Sequence, residues 1–160
     1  MNDMPLARLA KFLVEAKRRT YAGLDDDATI ATPLLPGSKQ LEHRAGDMFY
    51  RDIYFGMGFF AGQETVQSGA RVIWSMSYAG GASPGITDRG ELLAVYAFLR
   101  KALLVVTEQR PFRGPAQLDD DGLRYINTSE GDLAEFYGEE QIFRAQSKLY
   151  GLRYQGGLIR

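Results

Sequence analysis

Residues 62–81 read GQETVQSGARVIWSMSYAGG, and residues 138–157 read GEEQIFRAQSKLYGLRYQGG. Within the first block, Val72, Trp74, Met76 and Tyr78 alternate with Arg71, Ile73, Ser75 and Ser77. That period of two predicts a strand with one buried face. Ser68-Gly69 ahead of it predicts a turn, so the block reads as a hairpin. The second block aligns with the first without a gap, at an offset of 76 positions. Gly62 falls on Gly138, Glu64 on Glu140, Val66 on Ile142, Trp74 on Tyr150, Met76 on Leu152 and Tyr78 on Tyr154, and both blocks end in Gly-Gly.

Working outward, LEHRAGD (41–47) resembles INTSEGD (126–132), and KFL at 11–13 resembles AFL at 97–99. We read a single domain, 1–160, with an internal repeat over 5–81 and 88–157. Each unit is one helix followed by about three antiparallel strands. The predicted fold is α+β: a single, mostly antiparallel sheet of about six strands, with two helices on one face. An unrepeated α+β domain predicts nearly the same elements. On this alignment Asp47 to Gly62 is longer than Asp132 to Gly138 by nine residues, roughly YRDIYFGMG. The excess predicts an extended hairpin in the first unit, walling a pocket or lying against the other half.

The remaining elements follow from local pattern. Leu6, Leu9, Leu13 and Ala16 at helical spacing behind Pro5 predict a helix over about 5–19. DDDATIATPLLPG (25–37) predicts a loop. Strands are expected at Lys39–Arg44, Met48–Phe55, Phe59–Val66 and Arg71–Tyr78, with GMG at 56–58 as a turn. Asp88, with Glu91 three residues later, predicts the start of a second helix, whose stripe is Leu92, Tyr96, Leu99 and Leu103 and which ends before Pro111. Two or three strands are expected within Leu123–Tyr154. The Gly80-Gly81 and Gly156-Gly157 pairs are expected in turns.

Composition narrows the chemistry. The absence of Cys excludes disulfides, thiolate nucleophiles and Cys-based metal centres. His43 is the only His, so no His cluster exists within one chain and no Ser-His-Asp arrangement is supported. A carboxylate site for Mg²⁺ or Ca²⁺ stays open, no metal ligand is assigned, and the cofactor is unknown. A formal net charge of −1 argues against direct nucleic-acid binding. Arg8 and Lys11 break the N-terminal apolar run, so no signal peptide is expected, and no apolar run is long enough for a membrane span. A cytoplasmic location is expected.

The candidate site centres on DMFYRDIY (47–54). Alternation puts Tyr50, Asp52 and Tyr54 on one face, and Glu64 in the next strand is within cross-strand reach. A desolvated Asp52 between two phenols would have a raised pKa and could bind a ligand or transfer a proton. The alternative is an ordinary sheet face with Asp52 paired to an Arg. Trp74 and Tyr78 either fill the core or line a cavity. RPFRGP (110–115) either presents Arg110 and Arg113 to an anionic ligand, or is a helix exit with Phe112 plugging the core.

Several stretches together carry a resemblance. AKRRTYAG (16–23), MFYRDIYFGMGFFAGQETV (48–66), VIWSMSYAG (72–80), RPFRGP, FYGEEQIF (136–143) and LYGLRYQGGLI (149–159) resemble the domain-of-unknown-function family numbered 5680. Its members are small prokaryotic proteins, some with a helix-turn-helix domain ahead of this one. The family has no assigned activity, so the resemblance brings no catalytic residues. It implies a domain that senses a ligand or drives dimerisation. The first helix starts at the N-terminus, so any signal to DNA is expected to pass through another protein.

Three functions are therefore expected, in descending order. The first is a small-molecule binding or sensing domain with a pocket of a few hundred Å³ near Tyr50, Asp52 and Trp74. The second is a protein-interaction module or homodimer. The third is a small hydrolase using Asp52 and Glu64.

Overall fold

The computed structural model describes residues 5–24 and 32–160. Most of the predicted 25–37 loop, residues 25–31, lies outside the described residues. Helix α1 (Leu6–Arg19) leads into four strands, β1 (Lys39–Ala45), β2 (Met48–Gly56), β3 (Phe59–Ser68) and β4 (Arg71–Ala82). Helix α2 (Arg89–Leu104) leads into four more, β5 (Gln117–Asp120), β6 (Leu123–Asp132), β7 (Glu135–Arg144) and β8 (Ser147–Leu158). The strands form one antiparallel sheet in the order β1-β2-β3-β4-β8-β7-β6-β5. Each half is thus a helix followed by a four-stranded meander, and the halves join through β4 and β8. No helix among the described residues is long and apolar enough to cross a membrane.

The sheet has eight strands, not about six. β1 completes the first meander, and β5 was missed in the second. β5 is four residues, QLDD, with only Leu118 half-buried, so it carries no alternating apolar signal. It exists through its pairing with β6 at the sheet edge.

The expected long hairpin is also corrected. Every connection between consecutive strands within a half is two residues long, and such tight turns set the register. YRDIYFGMG is not an insertion: it is most of β2 and the turn after it, and β2 is an internal strand between β1 and β3. Its counterpart is β6, because Tyr50 faces Val66 as Tyr125 faces Ile142, and Asp52 faces Glu64 as Asn127 faces Glu140. The match of LEHRAGD to INTSEGD set the β1–β2 turn against the β6–β7 turn. Both halves also break register at the same place, after Val66 and after Ile142.

Local rules account for the rest. The Glu91 N–H donates to the Asp88 side chain at 2.8 Å, capping α2 as expected. Trp74, Met76 and Tyr78 turn inward as expected, and Trp74 and Met76 are fully buried, but Val72 does not: a break in register sets it opposite Gln67, and Ile73 packs against the core instead. The inward residues of the sheet share one apolar cluster with Leu9, Leu13 and Ala16 of α1 and Tyr96, Leu99 and Leu103 of α2. The two halves meet at Tyr78, which lies directly opposite Tyr154. Gly62 and Gly138 make this centre possible: a Cβ on either would collide with the ring or hydroxyl of Tyr78 or Tyr154. The Gly80-Gly81 and Gly156-Gly157 pairs lie inside β4 and β8, not in turns.

Candidate functional site

The inner face of the sheet carries two carboxylate centres, one per half. In the second half Glu140, on β7, is fully buried. Its Oε1 accepts from Arg113 Nε at 3.1 Å, Arg113 Nη2 at 2.5 Å and the Tyr150 hydroxyl at 2.8 Å. Its Oε2 accepts from the Tyr125 hydroxyl at 2.6 Å. Asn127 beside it accepts from the Tyr154 hydroxyl at 2.7 Å and donates to the Gly114 carbonyl at 3.0 Å. This centre is saturated, which is the condition for a buried charge to be tolerated.

The first half places Asp52 where the second has Asn127. Asp52 on β2 and Glu64 on β3 are direct register partners, and both are buried. The Tyr78 hydroxyl donates to Asp52 Oδ1 at 2.6 Å. Lys17, from the last turn of α1, donates to Glu64 Oε2. Burial and the charge of Glu64 push the Asp52 pKa up to about 7, against the pull of Tyr78, Lys17 and Arg113. Burial also lowers the pKa of Lys17, with Glu64 opposing. Burial and the nearby carboxylates hold the Tyr50 and Tyr78 phenols well above their ordinary value, so both remain hydrogen-bond donors. The Arg113 guanidinium lies over the Tyr78 ring, 5.6 Å from its centre, and links the two centres.

Charge counting separates the halves further. Asp52, Glu64 and Glu140 face Lys17 and Arg113, and all five are at most 7% exposed. Fully ionised, the cluster has one carboxylate in excess among the described residues. Glu140 is matched by Arg113, so the surplus falls on the Asp52–Glu64 pair, and a proton on Asp52 cancels it.

A cavity of about 20 Å³ borders this pair, lined by Lys17, Tyr50, Asp52, Glu64 and Arg113 and by the turn at Thr20, Tyr21 and Ala22. It has room for about one water, so the expected pocket of a few hundred Å³ is not present there. A second cavity of about 20 Å³ lies on the other side of Tyr21, against Tyr54, Phe60 and Tyr96. The Tyr21 ring packs edge-on to Tyr54 at 6.3 Å. An open groove of about 690 Å³ runs over the opposite sheet face, past Gln63, Ser75, Ser77 and Tyr137.

The family described as Domain of unknown function (DUF5680) matches residues 52–159. The chain belongs to DUF5680. The match takes in Asp52, Glu64, Trp74, Tyr78, Arg113 and Glu140 of this DUF5680 domain, and begins after Lys17 and Tyr50. No curated protein and no solved structure matches the chain.

Of the residues singled out in the sequence, Tyr50, Asp52, Glu64, Tyr78 and Arg113 converge in the DUF5680 core. Tyr54 lies apart in the aromatic cluster with Tyr21 and Phe60. Trp74 is core: it stacks on Phe136 at 5.8 Å, and its indole N–H has no hydrogen-bond partner among the described residues. Arg110 donates to the Asn127 carbonyl at 3.0 Å and to Ser129 at 3.2 Å. RPFRGP is therefore a helix exit with Phe112 buried against Phe136, and both of its arginines are engaged inside the protein. Lys17 was missed, although it follows Leu13 by four and so sits on the buried stripe of α1. Tyr125 and Asn127 were missed because β6 was aligned one turn out of place, and Tyr150, on β8, because its hydroxyl reaches Glu140 from the neighbouring strand. Among the described residues no three His, Cys, Asp or Glu cluster closely enough to hold a metal ion.

Proposed function

We propose that this DUF5680 protein is a small-molecule binding or sensing domain, whose ligand docks between the end of α1 and the inner sheet face, against Asp52 and Glu64. One observation carries the reading: a buried ionic cluster holds more carboxylates than cations, with the surplus at the wall of a cavity. A core selected for stability alone does as well or better with apolar groups. Desolvated ionisable groups beside a cavity are a mark of functional sites. Tyr21 lines both small cavities, and a ligand that took the place of its ring would meet an acidic floor and aromatic walls in one chamber.

The interaction-module alternative draws on Phe59 and Tyr137, which are 69% and 57% exposed. The hydrolase alternative draws on the same Asp52–Glu64 pair, but among the described residues only the cavity of about 20 Å³ adjoins it.

Native mass spectrometry of protein purified from cells, set against the denatured mass, tests the proposal. We expect an added non-covalent mass that is lost in Asp52→Asn. A clean apo mass, with no thermal shift in a metabolite screen, rejects binding; a clean apo dimer favours the interaction module.

A further inference from the structure

The charge and wall chemistry of this chamber define what it would take. Resting on the binding reading above, we infer that the ligand is a small organic cation with an aromatic or apolar body, its positive charge seated on the Asp52–Glu64 pair and its body against Tyr21, Tyr54, Phe60 and Tyr96.

Three independent features lead there. The first is the charge inventory. Around Asp52 stand Tyr50 on its own strand, Glu64 on β3, Tyr78 on β4, Lys17 on α1 and Arg113 after α2. Arg113 is committed to Glu140 through two nitrogens, so among the described residues Lys17 alone offsets two carboxylates. An anionic ligand would add a third negative charge beside them at low dielectric, whereas a cation supplies the charge that is lacking.

The second feature is the wall. Phe60 sits at the middle of a ring assembly, edge-on to Tyr54 at 6.3 Å, Tyr78 at 6.1 Å and Tyr96 at 5.9 Å. Aromatic faces attract a desolvated cation and accept an apolar body. The third is position. Tyr21 lines both cavities, so moving one side chain joins the carboxylates to the aromatic walls.

Seating a cation favours ionised Asp52. Below about pH 7 the carboxyl is mostly protonated before binding, so binding releases a proton into solution and affinity rises with pH through that range.

Benzyltrimethylammonium, benzyl alcohol and benzoate present one ring with a positive, neutral or negative substituent. Trp74 is the only Trp and lies beside Lys17, 5.9 Å from its amine, so its fluorescence reports binding without a label. We expect the cation to bind at least tenfold more tightly than the alcohol, and benzoate not to bind. Calorimetry at pH 6 in buffers of different ionisation enthalpy should show close to one proton released per cation. Asp52→Asn should abolish that release and weaken the cation at least tenfold. This variant is expected to fold, because Asn127 fills the equivalent place in the other half, and circular dichroism checks it. Benzoate binding as tightly as the cation overturns the inference. So does a natural ligand seen by native mass spectrometry that no cation displaces, which leaves the binding reading standing. If no probe binds and no natural ligand is found, both fall.

Discussion

Glu64 and Glu140 occupy the same place in the two halves and live in opposite conditions. Glu140 has a guanidinium and two phenols on its oxygens, and its neighbour is a neutral amide. Glu64 has one flexible amine and one phenol, that of Tyr50, and its neighbour is a second acid. The backbone pairing is the same in both, down to the break in register. Three changes make the difference: Asn127 against Asp52, Arg113 against Lys17, and Tyr150, which donates to Glu140, against Trp74. The centre of the second half is matched in charge; that of the first carries the surplus acid on which the binding proposal rests.

The largest expected effect breaks the saturated centre. Glu140→Ala leaves Arg113 buried without its partner and should cost about 3–5 kcal/mol, read by urea unfolding. A loss under about 1 kcal/mol would mean that Arg113 finds water or Glu64 instead, and that the halves are less different than described.

The next sharpens the contrast through pH. The Asp52 pKa stands at about 7 in the folded protein against 3.8 ordinarily. The folded state therefore binds more protons than the unfolded one, and stability falls as pH rises from about 4 to 7, then levels off. At about 1.4 kcal/mol per pH unit, Asp52→Asn should stabilise at pH 8 by up to roughly 4 kcal/mol and change little at pH 4. Denaturant midpoints across pH check this. The reciprocal Asn127→Asp should add a second decline of the same sign. An Asp52→Asn profile that keeps the wild-type slope would place the titrating group elsewhere.

The smallest effect compares equivalent phenols. Tyr78→Phe removes the hydroxyl that donates to Asp52, which should cost about 1–2 kcal/mol and move the Asp52 midpoint above about 7. Tyr154→Phe, which removes hydrogen bonds to two neutral partners, Asn127 and Ser129, should cost no more and leave that midpoint in place. Carbon-13 NMR of the Asp52 carboxyl follows both.

Legibility in the sequence tracked how local each cause was. The strand at Val72–Tyr78 showed in its own alternation, and the Asp88 cap lies three residues from its partner. The glycines shared at positions 62 and 138 were visible as a match, but their reason was not, because Tyr78 and Tyr154 reach them from the neighbouring strand. β5 failed because an edge strand of polar residues is defined by its partner. Lys17 failed because a helix stripe is normally read in apolar residues, and the acid that justifies this amine lies 47 residues away.

The sequence by itself determined the two helices, the four strands of the first half and the face on which Asp52 lies. Those follow from periodicity and capping, which act over a few residues. Only the tertiary structure decided that Asp52 and Glu64 are partners, that Arg113 belongs to Glu140, and that the surplus charge sits in one half. Burial and charge balance depend on everything folded around a group, and the elements that surround Asp52 come from five separate stretches of the chain.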